Sequence, residues 1–128
     1  MNIVPVLAEL AELSPNLELR VLRRDANPDF MDTHLTDGAR SIPVLMVLDD
    51  NFVERAWWGP RPRELQQWVR TSGLMMPKEE RYREVRRWYA RDRGVSVVRE
   101  VLCLLERAAA ERGMIAAEIT AAVTHIGT

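Results

Sequence analysis

The sequence predicts an α/β protein, a small sheet wrapped by helices and followed by a helical hairpin. Three observations predict it. Apolar residues recur at helical spacing before residue 14 and again over 63–69, and apolar segments of strand length occupy 17–22 and 44–48. Residues 78–112 then carry two longer helical patterns parted at Gly94. The 128 residues suit a single core, which a 47% hydrophobic content is enough to fill. A formal charge of −1 gives no global attraction to nucleic acid or to an anionic membrane. No apolar run approaches the roughly 18 residues of a membrane helix, and no basic-then-apolar leader opens the chain, so the expected location is the cytoplasm, with no membrane contact. The single cysteine, Cys103, excludes an internal disulfide and a Cys-x-x-Cys pair within these residues. His34 and His125, far apart and with only that thiol, do not make a zinc site, and no cofactor is expected.

Taken in order, residues 5–13 place Val6, Leu7, Leu10 and Leu13 on one helical face, and Ser14-Pro15-Asn16 ends the helix. Residues 17–22 alternate as a strand, with Leu17, Leu19 and Val21 on one side. Asn27 reads as an N-cap with Pro28 at the first helical position, and Asp29 and Asp32 suit the positive helix end. This helix is expected to reach His34 or Leu35, and Thr36-Asp37-Gly38 is a loop. The apolar run 44–48 reads as a strand buried on both faces. Asp49-Asp50-Asn51 joins it in a tight hairpin to residues 52–58, and Gly59-Pro60-Arg61-Pro62 stops the second strand. Pro62 can pre-set the first turn of a helix over 63–69.

Four short motifs in this order resemble the thioredoxin family: the proline-bearing helix Pro5-Val6-Leu7-Ala8-Glu9-Leu10-Ala11, then Asp25-Ala26-Asn27-Pro28, then Ile42-Pro43 before the hairpin, then Gly59 at its end. The run Trp58-Gly59-Pro60-Arg61-Pro62 is similar to a branch of bacterial thioredoxin-like proteins. The resemblance implies a thioredoxin-like fold truncated at its N-terminus, a cis Ile42-Pro43 bond, and a family role in thiol–disulfide exchange and cell redox homeostasis. It also implies that Ile42 and Pro43 offer backbone groups to an extended peptide, a form of strand addition. By family spacing both active-site cysteines would fall upstream of Met1, so the chain as written is expected to be catalytically incompetent.

In that family a first strand pairs between the two strands represented here by 17–22 and 44–48. Its loss would leave backbone groups unpaired on both neighbours, at about 1–3 kcal/mol for each one buried and unsatisfied. A net stability of about 5–15 kcal/mol does not absorb several such losses. Three replacements are open. The native chain starts upstream of Met1; or the tail donates a strand through Ile119, Thr120, Val123, Thr124 and Ile126, although its alanines suit a helix equally; or edges pair between chains in a strand-exchanged oligomer.

The expected organisation is a truncated thioredoxin-like domain over 1–73, a helical extension over 74–112 packing on it or on a second subunit, and a tail, 113–128, left without an assignment. Tyr82, Val85, Trp88 and Tyr89 lie at helical spacing before Gly94, and Val97, Val98, Val101, Leu102, Leu104, Leu105 and Ala108 after it. Eight basic against four acidic side chains over 78–99 suggest phosphate contacts, but the interspersed acids, with Glu79 able to pair with Arg83, describe a solvated face, and nucleic acid is not the expected partner. Cys103, between Leu102 and Leu104, reads as an inert buried thiol, and His34 as a solvated residue at a helix end. Trp57 and Trp58 alternate across their strand, so one belongs to the core; Trp58 is taken as the surface anchor, and Arg61 as an anion contact or a structural ion-pair partner. The expected partner is a protein or peptide. The alternative to a family redox role is a non-catalytic interaction or oligomerisation module built on the Ile42-Pro43 edge and the C-terminal helices.

Overall fold

The computed structural model describes residues 3–111 and 119–125. Helix α1 (Val4–Leu13) carries Pro5 in its first turn, where a missing N–H costs nothing, and ends where Pro15 forces Ser14 into an extended conformation. Leu7 within it and Ile3 just before it are buried, whereas Leu13, expected on the same face as Leu7, is 75% exposed. Strand β1 (Leu17–Arg23) turns Leu17 and Leu19 inward, but Val21 is exposed, so the alternation holds only over its first half.

Asn27 does not cap the next helix with its side chain. Its Nδ2 donates to the Arg23 carbonyl at 2.8 Å and closes the end of β1 instead. Helix α2 (Pro28–Asp32) is shorter than expected because the Thr33 hydroxyl and N–H both donate to the Phe30 carbonyl and draw the chain out of the helix. Thr36 and Ala39 then exchange backbone hydrogen bonds at 2.9 Å across Asp37 and Gly38, both with positive φ. This is the primed two-residue turn that an Asp-Gly pair favours. Its arm is tied down by a two-bond Arg40–Asp32 pair at 2.8 and 3.0 Å.

Strand β2 (Leu45–Leu48) and strand β3 (Glu54–Trp58) form the hairpin, with Leu45 opposite Trp58 and Met46 opposite Trp57. Asp49, only 2% exposed, organises the connection. Its carboxylate accepts the N–H groups of Asn51 and Val53 at 2.8 and 3.0 Å and the Arg55 Nε at 2.9 Å. Helix α3 (Arg63–Thr71) follows, with Pro62 one position before its first residue rather than within it. A single 3₁₀ turn (Gly73–Met75) leads into α4 (Lys78–Asp92), and Arg93 and Gly94, both left-handed, reverse the chain into α5 (Val95–Glu111). Asp92 accepts the Ser96 N–H at 3.0 Å and its hydroxyl at 2.5 Å, fixing the start of α5. On α4, Glu84 pairs with Arg87 rather than Glu79 with Arg83.

The last strand, β4 (Ile119–His125), enters the middle of the sheet, whose order is β1-β4-β2-β3. It runs parallel to β1, with Leu17 opposite Ile119, and antiparallel to β2, with Leu45 opposite Val123. The central position that the thioredoxin resemblance assigns to a first strand is thus taken by the chain's own tail. Ile119, Thr120, Val123 and Thr124 of the expected strand lie in β4; Ile126 lies outside the described residues.

Helix α5 packs on the same sheet. Val97 and Val101 are buried in one cluster with Ile3, Leu7, Leu45 and Trp58, and Ala108 is buried with Val47. The buried positions 97, 101 and 108 and the partly buried 104 and 105 fall within one arc at about 100° per residue. Cys103 points nearly opposite that arc and is exposed, which corrects the buried-thiol reading.

The Asp49 carboxyl is held below its ordinary pKa of 3.8, chiefly by the Val53 N–H, with Arg55 and Asn51 adding to it against the opposing effect of burial. Its stabilising contribution is complete above that ordinary value and is lost as pH falls through the lower folded-state value. Asp49→Asn is expected to lower the urea midpoint at about pH 7 and to narrow its deficit towards about pH 2.5. Equal deficits at both pH values would show that the carboxylate charge is not the cause.

Candidate functional site

The site is built where the chain enters β2 and leaves β3. The Ile42–Pro43 peptide bond is cis, both residues are half-buried, and Val44 beyond them is fully buried, so the loop is anchored at the sheet and open on its outer side. The Gly59–Pro60 bond is also cis, and Gly59 has φ +134°. A Cβ on Gly59 would lie 2.2 Å from the Pro43 carbonyl oxygen and 3.2 Å from Val44 Cα. The two loops therefore touch backbone to backbone, and only glycine permits it.

Trp58 is not a surface anchor. It is 8% exposed, sits in the main core cluster, and donates its Nε1–H to Glu100 Oε1 at 2.9 Å. The reason is register: pairing with Leu45, which faces α1 and α5, turns Trp58 to that side and leaves Trp57 on the other. Trp57 is 44% exposed and lies against the His34 ring at 4.6 Å between centroids. His34 is not solvated either; its side chain is 10% exposed and its Nε2 lies 2.7 Å from Glu54 Oε1. Arg61 is half-buried and donates to Gln66 Oε1 at 2.7 Å, a structural role within α3's first turns. Arg61 also opposes the effect of burial on Tyr89, whose hydroxyl is nevertheless pushed above its usual value of 10.

Of the expected site residues, the structure brings Pro43 beside Gly59, one residue from Trp58 and two from Arg61, but turns the Trp58 ring into the core. The residue missed was Glu100. Its carboxylate accepts both Trp58 Nε1–H and the Arg63 N–H, the latter at 3.1 Å to each oxygen. It therefore joins α5 to the end of β3 and to the positive end of α3. The signal was present: a carboxylate bordering the apolar stripe of α5 needs a partner. Among the described residues no group of three or more His, Cys, Asp or Glu is placed to hold a metal ion, and no helix is long and apolar enough to cross a membrane.

A family model described as thioredoxin matches residues 1–91, so the chain belongs to the thioredoxin family. No curated protein and no solved structure matches it.

Two variants probe this geometry. Gly59→Ala is expected to destabilise by at least about 2 kcal/mol, from its φ and from the clash with the Pro43 carbonyl. Glu100→Ala leaves the Trp58 indole N–H without its acceptor and is expected to cost about 1–3 kcal/mol, read from urea unfolding. A Gly59→Ala midpoint equal to wild type would mean that the two loops are not held in contact in solution.

Proposed function

We propose that this chain serves as the peptide-binding part of a thioredoxin-type site and that it does not itself turn over disulfides. The observation that carries the reading is the cis Ile42–Pro43 loop held against the Gly59 backbone where the chain enters β2 and leaves β3. Half-exposed backbone at that loop can accept an extended peptide as an added strand segment. In the family's exchange reaction a thiolate attacks one sulfur of a substrate disulfide, forming a mixed disulfide and releasing the other sulfur as a thiolate; a second cysteine then resolves the intermediate. These 128 residues hold one cysteine, so the resolving half of that sequence has no group to perform it here. Cys103 stands on the exposed side of α5, with no second thiol in the sequence to pair with it. The proposed setting is the cytoplasm, with a protein or peptide partner.

An apolar cleft of about 400 Å³ between the end of α1 and α5, lined by Leu10, Leu13, Leu17, Leu102 and Leu105, favours a second reading, an interaction or oligomerisation module. A chain whose central strand is the last of the described strands can exchange that strand between copies.

Insulin-disulfide reduction separates the two, measured on the 128-residue chain and on a form extended at its N-terminus by a Cys-x-x-Cys segment. The first reading expects no reduction by the chain as it stands, reduction by the extended form, and a loss of that activity with Pro43→Ala. An inactive but folded extended form, together with a stable dimer by light scattering, would replace it with the second.

A further inference from the structure

Strand β3 is an outer strand of the sheet: β2 pairs with one side of it, and no strand of the described chain pairs with the other. The N–H and C=O groups on such an edge are a template for one more strand. Two clefts, of about 330 and 370 Å³, open beside it, and both are lined by Trp57, Trp58 and Arg63. Trp57 and Trp58 point to opposite faces, so a cleft reaching both lies at the edge of the strand rather than over one face. The two clefts together follow that edge between α5 and α3.

The lining is strongly basic. Arg99 and Arg107 of α5 flank one cleft, and Arg61 and Arg70 flank the other, with Arg63 shared between them. The carboxylate they have in common, Glu100, is already engaged by the Trp58 indole and the Arg63 N–H. Arg70 pairs with Asp37 at 3.3 Å, and Arg61 donates to Gln66. The guanidinium groups of Arg63, Arg99 and Arg107 have no carboxylate partner among the described residues, and all three side chains are exposed.

We propose that the outer edge of β3 is a docking site for an extended acidic peptide segment of a partner protein, which adds as a fifth strand and sets its carboxylates against Arg63, Arg99 and Arg107. Two features select this occupant. A row of backbone donors and acceptors at strand spacing is matched by another peptide backbone, whereas a nucleic acid offers no such row. A second copy of this chain would bring two arginine-lined edges together, and that repulsion opposes self-pairing. One of the clefts reaches Gly59, whose backbone meets Pro43, but the proposal rests on the free edge of β3 and on Arg63, Arg99 and Arg107, none of which the peptide site at Ile42–Pro43 uses.

The test uses the whole chain and a fluorescein-labelled peptide of about eight residues, long enough to span the strand, alternating Glu with Val and Thr. Saturable binding is expected, with amide shifts at Ala56 and Trp57. The double variant Arg99→Glu/Arg107→Glu should weaken it on the order of tenfold while circular dichroism stays unchanged, since both side chains are exposed. N-methylation of the peptide's alternate backbone nitrogens should abolish binding for the set facing β3 and spare the other set. Several results would overturn the proposal: no binding to the folded chain, equal binding of a peptide with Lys in place of Glu, indifference to methylation of either set, tighter binding of an oligothymidine of similar length, or concentration-dependent self-association that shifts the Ala56 and Trp57 amides without peptide.

Discussion

Strands β1 and β2 face each other across a gap one strand wide, and each carries a row of N–H and C=O groups pointing into it. Buried backbone groups must be paired, so the rest of the molecule depends on what fills that gap. β4 fills it, parallel to β1 and antiparallel to β2 in register over the length of β2. With the centre closed, Leu45 and Val47 face the helices on one side, and the hairpin of β2 and β3 has a fixed position from which its two flanking loops can meet at Pro43 and Gly59.

A second tie acts on the opposite side of the hairpin. Glu100 brings one charged group to bear on an indole N–H and on the first backbone N–H of α3, and through it α5 is keyed to the end of β3 and not merely packed against the sheet. Val97 and Val101 supply the apolar part of the same contact. The C-terminal helix is thus integral to the core that surrounds the candidate site, and the charges it carries at positions 99 and 107 are presented at a defined place along the strand edge.

The order of helices and strands was legible in the sequence because its punctuation is chemical. Pro15, Asn27-Pro28, Asp37-Gly38, Gly59-Pro60 and Gly94 each mark a point where the backbone starts, ends or turns between elements. The family was legible from the same residues. Which of two adjacent tryptophans faces the core was not, because parity along a strand is set by its partner's register, and Leu45 opposite Trp58 decides it. Cys103 was misjudged because the apolar run around it reads as a broad stripe, whereas the packed arc on α5 is narrow and residue 103 lies outside it. His34 was misjudged because its partners, Glu54 and Trp57, are brought to it only by the hairpin. The tail was ambiguous by composition; its strand conformation comes from two neighbours offering unpaired backbone, a tertiary cause that no local propensity records.

The position of β4 also bears on how the chain is made. Leu17 pairs with Ile119, roughly 100 residues later, and the strand that completes the centre of the sheet is synthesised after the three strands it joins. Closing such long loops precedes any reward from the contacts they allow, which slows folding. As the chain emerges from the ribosome, α1, β1 and the hairpin precede the strand that joins them, and the two strands that flank the gap have no central partner until β4 has emerged. The period of greatest vulnerability to aggregation therefore lies between the emergence of β1 and the docking of β4, when a chaperone that shields strand edges has the most to protect.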